Sequence, residues 1–152
     1  MKGARRSLRR CGGAFACLLA LGCVSVPPGT AHETIDDPAA ERLHRLCEHV
    51  VLYYAAQQAL PPDADALREA FGAALPPCTS PRSGEDYSFP PGAVAIAGRP
   101  GRLLLYDPAP AMIGGRRCLW GILVSESPGM HGLVTQVVPL GEREVAEALR
   151  VR

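Results

Sequence analysis

Apolar residues recur at helical spacing in one long early stretch and at two-residue spacing through much of the second half of the chain. Over residues 37–60, Leu43, Leu46, Cys47, Val50 and Tyr54, followed by Gln57 or Gln58, fall on one stripe of an amphipathic helix that needs a partner surface. Asp36 or Asp37 can cap this helix, Pro38 suits its first position, and Glu41 sits favourably in its first turn. Pro61-Pro62 ends it, and Asp63 caps a shorter helix over 64–75 that carries Leu67, Ala70, Phe71, Ala74 and Leu75 inward. Residues 76–84, rich in Pro and Ser, read as an irregular crossing segment. The period then changes to β. Residues 87–89 suggest an edge strand stopped by Pro90-Pro91-Gly92, and 93–97 with 102–106 form a hairpin through Gly98-Arg99-Pro100-Gly101. A loop over 107–115 leads to a second pair of strands, 117–124 and 133–138, joined by the longer turn 125–132. Cys118, Trp120, Ile122 and Val124 share one face by alternation, and that face should pack on the first helix. A terminal helix over 142–151 turns Val145 and Leu149 inward. The fold class is α+β: a long N-terminal helix and a short second helix on a small antiparallel sheet, closed by a short C-terminal helix.

What precedes the first helix changes the address rather than the fold. Residues 1–10 form a basic head, and 11–26 are apolar and small but too short and glycine-rich for a membrane span. This is an export signal over 1–31, ahead of a single domain over 32–152. Two processing sites compete. Leu19-Ala20-Leu21-Gly22-Cys23 resembles a lipobox, which would attach lipid at Cys23; Gly29-Thr30-Ala31 offers a conventional cleavage before His32. The destination is therefore an outer-membrane or periplasm-facing lipoprotein, or a secreted protein, and Val24 after Cys23 resembles the outer-membrane case among bacterial lipoproteins. The formal charge of +1 is set by Lys2, Arg5, Arg6, Arg9 and Arg10; removal of the leader leaves 11 Arg against 15 Asp and Glu, a net charge of −4. A mildly acidic body without a basic stripe argues against nucleic acid as a partner.

Export also bears on the cysteines. Cys11 and Cys17 leave with the leader and Cys23 is lipidated or discarded, so Cys47, Cys78 and Cys118 remain. An oxidising compartment lets two of them pair. Cys47 with Cys78 is the first expectation, stapling the helical hairpin to the crossing segment; Cys78 with Cys118, and no bridge, are the alternatives. No zinc spacing is present, and neither a metal nor another cofactor is expected.

The succession of a helix ending in Leu60-Pro61-Pro62, a Pro/Ser-rich stretch after Cys78, a strand ending in Tyr106-Asp107-Pro108, and a last hairpin leading into an acidic helix is similar to the head domain of bacterial type II secretion and type IV pilin-like proteins, in the variety abundant in planctomycetes. The resemblance spans residues 43–150 and implies a non-catalytic binding or structural role. Pilin-like precursors carry a hydrophobic F-T-L-x-E-type helix that anchors and polymerises them; this leader has no such pattern, and Gly114-Gly115 keeps only part of the family's usual loop.

Candidate chemistry is sparse. His44, Glu48 and His49 have the order H-x-x-x-E-H, not a metalloprotease spacing, and the two histidines lie about 140° apart on a helix. Ser125 or Ser127 with His131 would supply a nucleophile and a base, without the G-x-S-x-G turn. Glu85, Asp86 and Asp107 are candidates for calcium but lack a D-x-D-x-D spacing. Asp36, Asp37, Asp63 and Asp65 read as caps, Trp120 as core, and Arg116-Arg117 as a solvated strand entry. The expected function is a non-catalytic exported envelope or surface protein, a binding, structural or secretion-accessory component whose partner is an envelope or extracellular protein; membrane contact would run through lipid at Cys23. The alternative is a small exported hydrolase using His131 and a nearby serine.

Overall fold

The computed structural model describes residues 36–126 and 132–151. The expected export leader over 1–31, with Cys23, and the candidates Ser127 and His131 lie outside them. The chain is α+β, and the described residues form three α-helices and a five-stranded antiparallel sheet. Helix α1 (Pro38–Gln57) starts at the Asp37 cap, whose carboxylate accepts from the Ala39 N–H at 2.9 Å, with Pro38 in its first turn. It ends where Gln58 turns left-handed (φ 53°) and donates its N–H to the Tyr54 carbonyl at 2.8 Å. Asp63 caps α2 (Ala64–Phe71) in the same way through the Ala66 N–H, and the remainder of the expected helix tightens into a 3₁₀ turn, Gly72–Ala74.

The strands are β1 (Val94–Ala95), β2 (Arg102–Tyr106), β3 (Ala111–Ile113), β4 (Arg116–Glu126) and β5 (Leu133–Gly141), followed by α3 (Glu142–Arg150). Strand β4 is the spine. Gly121 pairs with Tyr106 of β2 and Val138 of β5, and Cys118 with Ala111 of β3 and Gly141 of β5. Hence β2 and β3 lie end to end along one side of β4, and β5 runs along the other. Strand β3 falls inside the segment expected to be a loop. Its turn into β4 is Gly114-Gly115, both at positive φ (54° and 75°), the conformation a two-residue hairpin demands. The expected edge strand over 87–89 is only a single bridge, Ser88 to Tyr106.

Each face of the sheet has its own core. Trp120, Ile122 and Val124 pack with Leu43, Leu46, Cys47 and Val50 of α1 and Leu67 of α2, as the alternation predicts. Leu119 and Leu123 point the other way, toward Leu103, Leu140 and Val145 of α3. A bulge between Leu103 and Leu105 explains three consecutive buried leucines in β2: the register slips there, so Leu103 joins the α3 face while Leu104 and Leu105 both join the α1 face. Gly121 lets these leucines close over the strand: a Cβ there would stand 2.9 Å from both Leu103 Cδ1 and Leu140 Cδ1, and one or both side chains would have to shift. No described helix is long and apolar enough to cross a membrane.

Candidate functional site

The two ends of α1 meet the sheet in different ways, and most of the polar side chains with chemical potential lie at one or the other. At the N-terminal end, Asp37 does more than cap the helix. Its Oδ2 accepts from Trp120 Nε1 at 2.8 Å and forms an ion pair with Arg82 of the crossing segment. Burial alone would raise this carboxyl, but hydrogen bonds from Trp120, the Ala39 N–H and Arg82, together with the Arg82 charge, outweigh it and hold Asp37 below its ordinary value. Beside this knot Asp107 is fully buried, accepting from Ser80 Oγ at 3.0 Å and from the Ala109 N–H at 2.8 Å, while its own N–H reaches the Trp120 carbonyl at 2.7 Å. Ser80 Oγ in turn accepts from the Arg82 and Ser83 N–H groups. Tyr87, also buried, has its hydroxyl without a hydrogen-bond partner and its ionisation pushed well up by burial and by the charge of Asp107. These groups hold helix, crossing segment and sheet together; no histidine among the described residues joins them.

At the C-terminal end a cleft of about 430 Å³ opens between Tyr54 of α1, Leu60, the start of β2 at Gly101-Arg102, the end of β4 at Val124-Ser125-Glu126, and Leu133 of β5. Its floor is close-built. Gly101 sits at φ +89°, and a Cβ there would lie 2.7 Å from the Val124 carbonyl oxygen, so only glycine brings the β1–β2 turn this near to β4. Leu60, Val124 and Leu133 give the cleft apolar walls, while Tyr54, Arg102, Ser125 and Glu126 supply a hydroxyl, a guanidinium, a second hydroxyl and a carboxylate. Arg102 is anchored by donating to the Gly92 carbonyl at 2.8 Å. Among the described residues no hydrogen bond joins Ser125 to an imidazole or a carboxylate. Such a cleft can take an apolar group flanked by polar or charged ones.

The remaining candidates are dispersed. The bridge expected between Cys47 and Cys78 is not formed, and all three of Cys47, Cys78 and Cys118 are free thiols. The first two look different ways: Cys47 faces the Thr135 hydroxyl on β5, and the Cys78 thiol turns back to the Pro76 carbonyl beside Arg68 and Asp86. Burial pushes both thiols up, against the hydrogen bond from Thr135 at Cys47 and the Arg68 charge at Cys78, so the thiolate form is disfavoured at both. His49 stacks edge-on against Phe71 of α2, at 5.0 Å between ring centroids, and its Nδ1 lies 3.0 Å from the Arg45 carbonyl; His44 is exposed. Asp86 pairs with Arg68 at 3.0 Å on the surface while Asp107 is buried against Ser80, so the calcium candidates are separately engaged. No group of three or more His, Cys, Asp or Glu among the described residues is placed to share a metal. The sequence reading missed the partnership of Arg82, Ser80 and Trp120 with Asp37 and Asp107. Its one local signal is Asp107-Pro108-Ala109, an Asx turn. Compared with protein-family models, with curated proteins and with solved structures, the chain matches none.

Proposed function

We propose that this is a non-catalytic exported envelope or surface protein, a binding, structural or secretion-accessory component built like a pilin head, which engages its partner at the cleft between Tyr54 and Leu133. One observation carries the reading: the half-buried Asp37 and the buried Asp107 are spent on architecture, the first on a helix cap and the second on an Asx turn, whereas the cleft holds polar groups not linked to one another around apolar walls. Binding asks for such a surface; acid–base or nucleophilic catalysis asks for groups linked to one another. The long α1 laid on an antiparallel sheet, with the acidic α3 following the last hairpin, supports the pilin-like reading.

The position of Ser125 in the cleft favours one competing reading, a small hydrolase with Ser125 or Ser127 as nucleophile and His131 as base. Treatment of the purified chain with a fluorophosphonate, followed by intact-mass measurement, separates the two. The binding reading expects no adduct. A single adduct on Ser125 or Ser127 that is lost in His131→Ala would replace it. The same spectrum taken from membrane and soluble fractions tests export, since it distinguishes a lipidated start at Cys23 from a start at His32.

A further inference from the structure

The three free strand edges of the described sheet are unequal. Strand β1 offers two residues and β3 three, but β5 offers nine and pairs only with β4. The direction of its backbone groups follows from one bond. Asp107 donates its N–H to the Trp120 carbonyl, so Trp120 turns its backbone toward β2 and away from β5. Pro139, opposite Trp120, and its alternates Val137, Thr135 and Leu133 therefore point their backbone groups outward from the sheet. Toward its C-terminal end this edge is closed: Pro139 has no N–H, its carbonyl accepts from Arg99, and the Gly141 N–H is taken by Glu144. From Leu133 to Val137 no hydrogen bond from another described residue closes it. That stretch, Leu-Val-Thr-Gln-Val, carries no charge, and charge is what normally keeps an exposed edge from pairing.

The flank of α1 beside this edge is also set. His49 faces α2 through Phe71, and Cys47 faces β5 through Thr135, so the shoulder above the β5 edge is the one bearing His44, Glu48 and Val51. A two-fold axis through Thr135 passes beside Cys47 and exchanges the positions of His44 and Glu48, which lie one helical turn apart. Each histidine then meets the partner copy's acid. A strand edge without charge, beside a shoulder that sets an imidazole one helical turn from a carboxylate able to accept from it, fits its own copy and offers nothing to a highly charged partner.

We infer that the β5 edge from Leu133 to Val137 is a docking surface for a second copy of this chain, pairing antiparallel about Thr135 to join the two sheets into one, with the two α1 helices side by side on the same face. Sedimentation velocity of the full chain over about a hundredfold range of concentration, with amide exchange read at Thr135 and Val137, tests it. The expected result is a doubling of mass with concentration, accompanied by slowing of exchange at those two amides of about tenfold or more. Val134→Lys and Gln136→Lys, at exposed side chains, each charge the edge and set the two copies' lysines diagonally across the joint, and made together they face each other directly; each should leave a monomer with the circular dichroism and melting temperature of the parent. A chain that stays monomeric throughout overturns the proposal and leaves the edge to an occupant of another kind. So does a dimer that both lysine variants leave intact, or whose formation leaves exchange at Thr135 and Val137 unchanged.

Discussion

The two ends of α1 draw on nearly the same inventory and put it to opposite use. At the N-terminal end an acid, an arginine, a serine and an aromatic, namely Asp37, Arg82, Ser80 and Trp120, are bonded to one another or to neighbouring backbone inside the chain. At the C-terminal end Glu126, Arg102, Ser125 and Tyr54 line an open cleft, and of these only Arg102 is tied down, to the Gly92 carbonyl. Residue type therefore says little about role here. What decides is whether the chain crosses over itself: residues 76–84 lie over the first end and bring Ser80 and Arg82 to it, while nothing comparable crosses the second among the described residues. If this is right, substitutions at the first end cost stability and those at the second leave it alone.

The largest expected effect is at Trp120, which is 1% exposed and anchors both the α1-face core and the Asp37 carboxylate. Trp120→Ala should destabilise by about 3–5 kcal/mol in urea unfolding, the range for removing a buried aromatic. Next is Asp37→Ala, which removes a helix cap and strands the indole N–H and Arg82; about 2–3 kcal/mol is expected. The pH dependence checks the same knot. Because the folded carboxyl lies below its ordinary value, its contribution is fully present above the unfolded value, about pH 3.9, and is lost as pH falls through the folded one. Glu144 is depressed in the same direction, by its hydrogen bond from Arg99 over a smaller opposing burial, and should add to the acid loss. Asp37→Ala should flatten the acid limb of a melting-temperature profile between about pH 5 and pH 2. An unchanged limb would remove the carboxylate from the account.

The effect expected after these is at Gly101, on the open end but in its floor. Gly101→Ala meets both a left-handed backbone and a carbonyl 2.7 Å away, and should cost about 1–3 kcal/mol in the same unfolding assay. It sharpens the comparison, because the cleft's shape rests on backbone approach even though its polar lining is dispensable for folding.

How much of this was legible beforehand follows from how local each feature is. The α1 stripe, the Asp37 and Asp63 caps, the Trp120-Ile122-Val124 face and the inward Val145 are written in spacing over a few residues, and the structure has them. Strand β3 was hidden because three residues are too few for a period; Gly114-Gly115 before Arg116 was its real signal, as a two-residue turn. The bulge in β2 was hidden because a slip of register is a property of two strands. The Cys47–Cys78 pairing rests on an expected oxidising compartment and on helix position, and spacing does not say which way a buried thiol looks. Titration with a thiol reagent checks the point on a chain begun at His32: Cys118, the least buried, should react first, and all three of Cys47, Cys78 and Cys118 should react after unfolding without reductant.

The smallest expected effect is the one on which the comparison depends. Ser125 and Glu126 are exposed at the end of β4, and neither holds an element in place. Ser125→Ala with Glu126→Gln should therefore change unfolding free energy by no more than about 0.5 kcal/mol, a shift of only a few degrees in melting temperature. The same pair of changes removes a hydroxyl and a charge from the cleft, so any effect on a bound partner would come from lost recognition and not from loss of fold. If instead the double variant unfolds as readily as Asp37→Ala, the cleft residues are structural, the two ends of α1 are alike, and the site must be sought elsewhere on the surface.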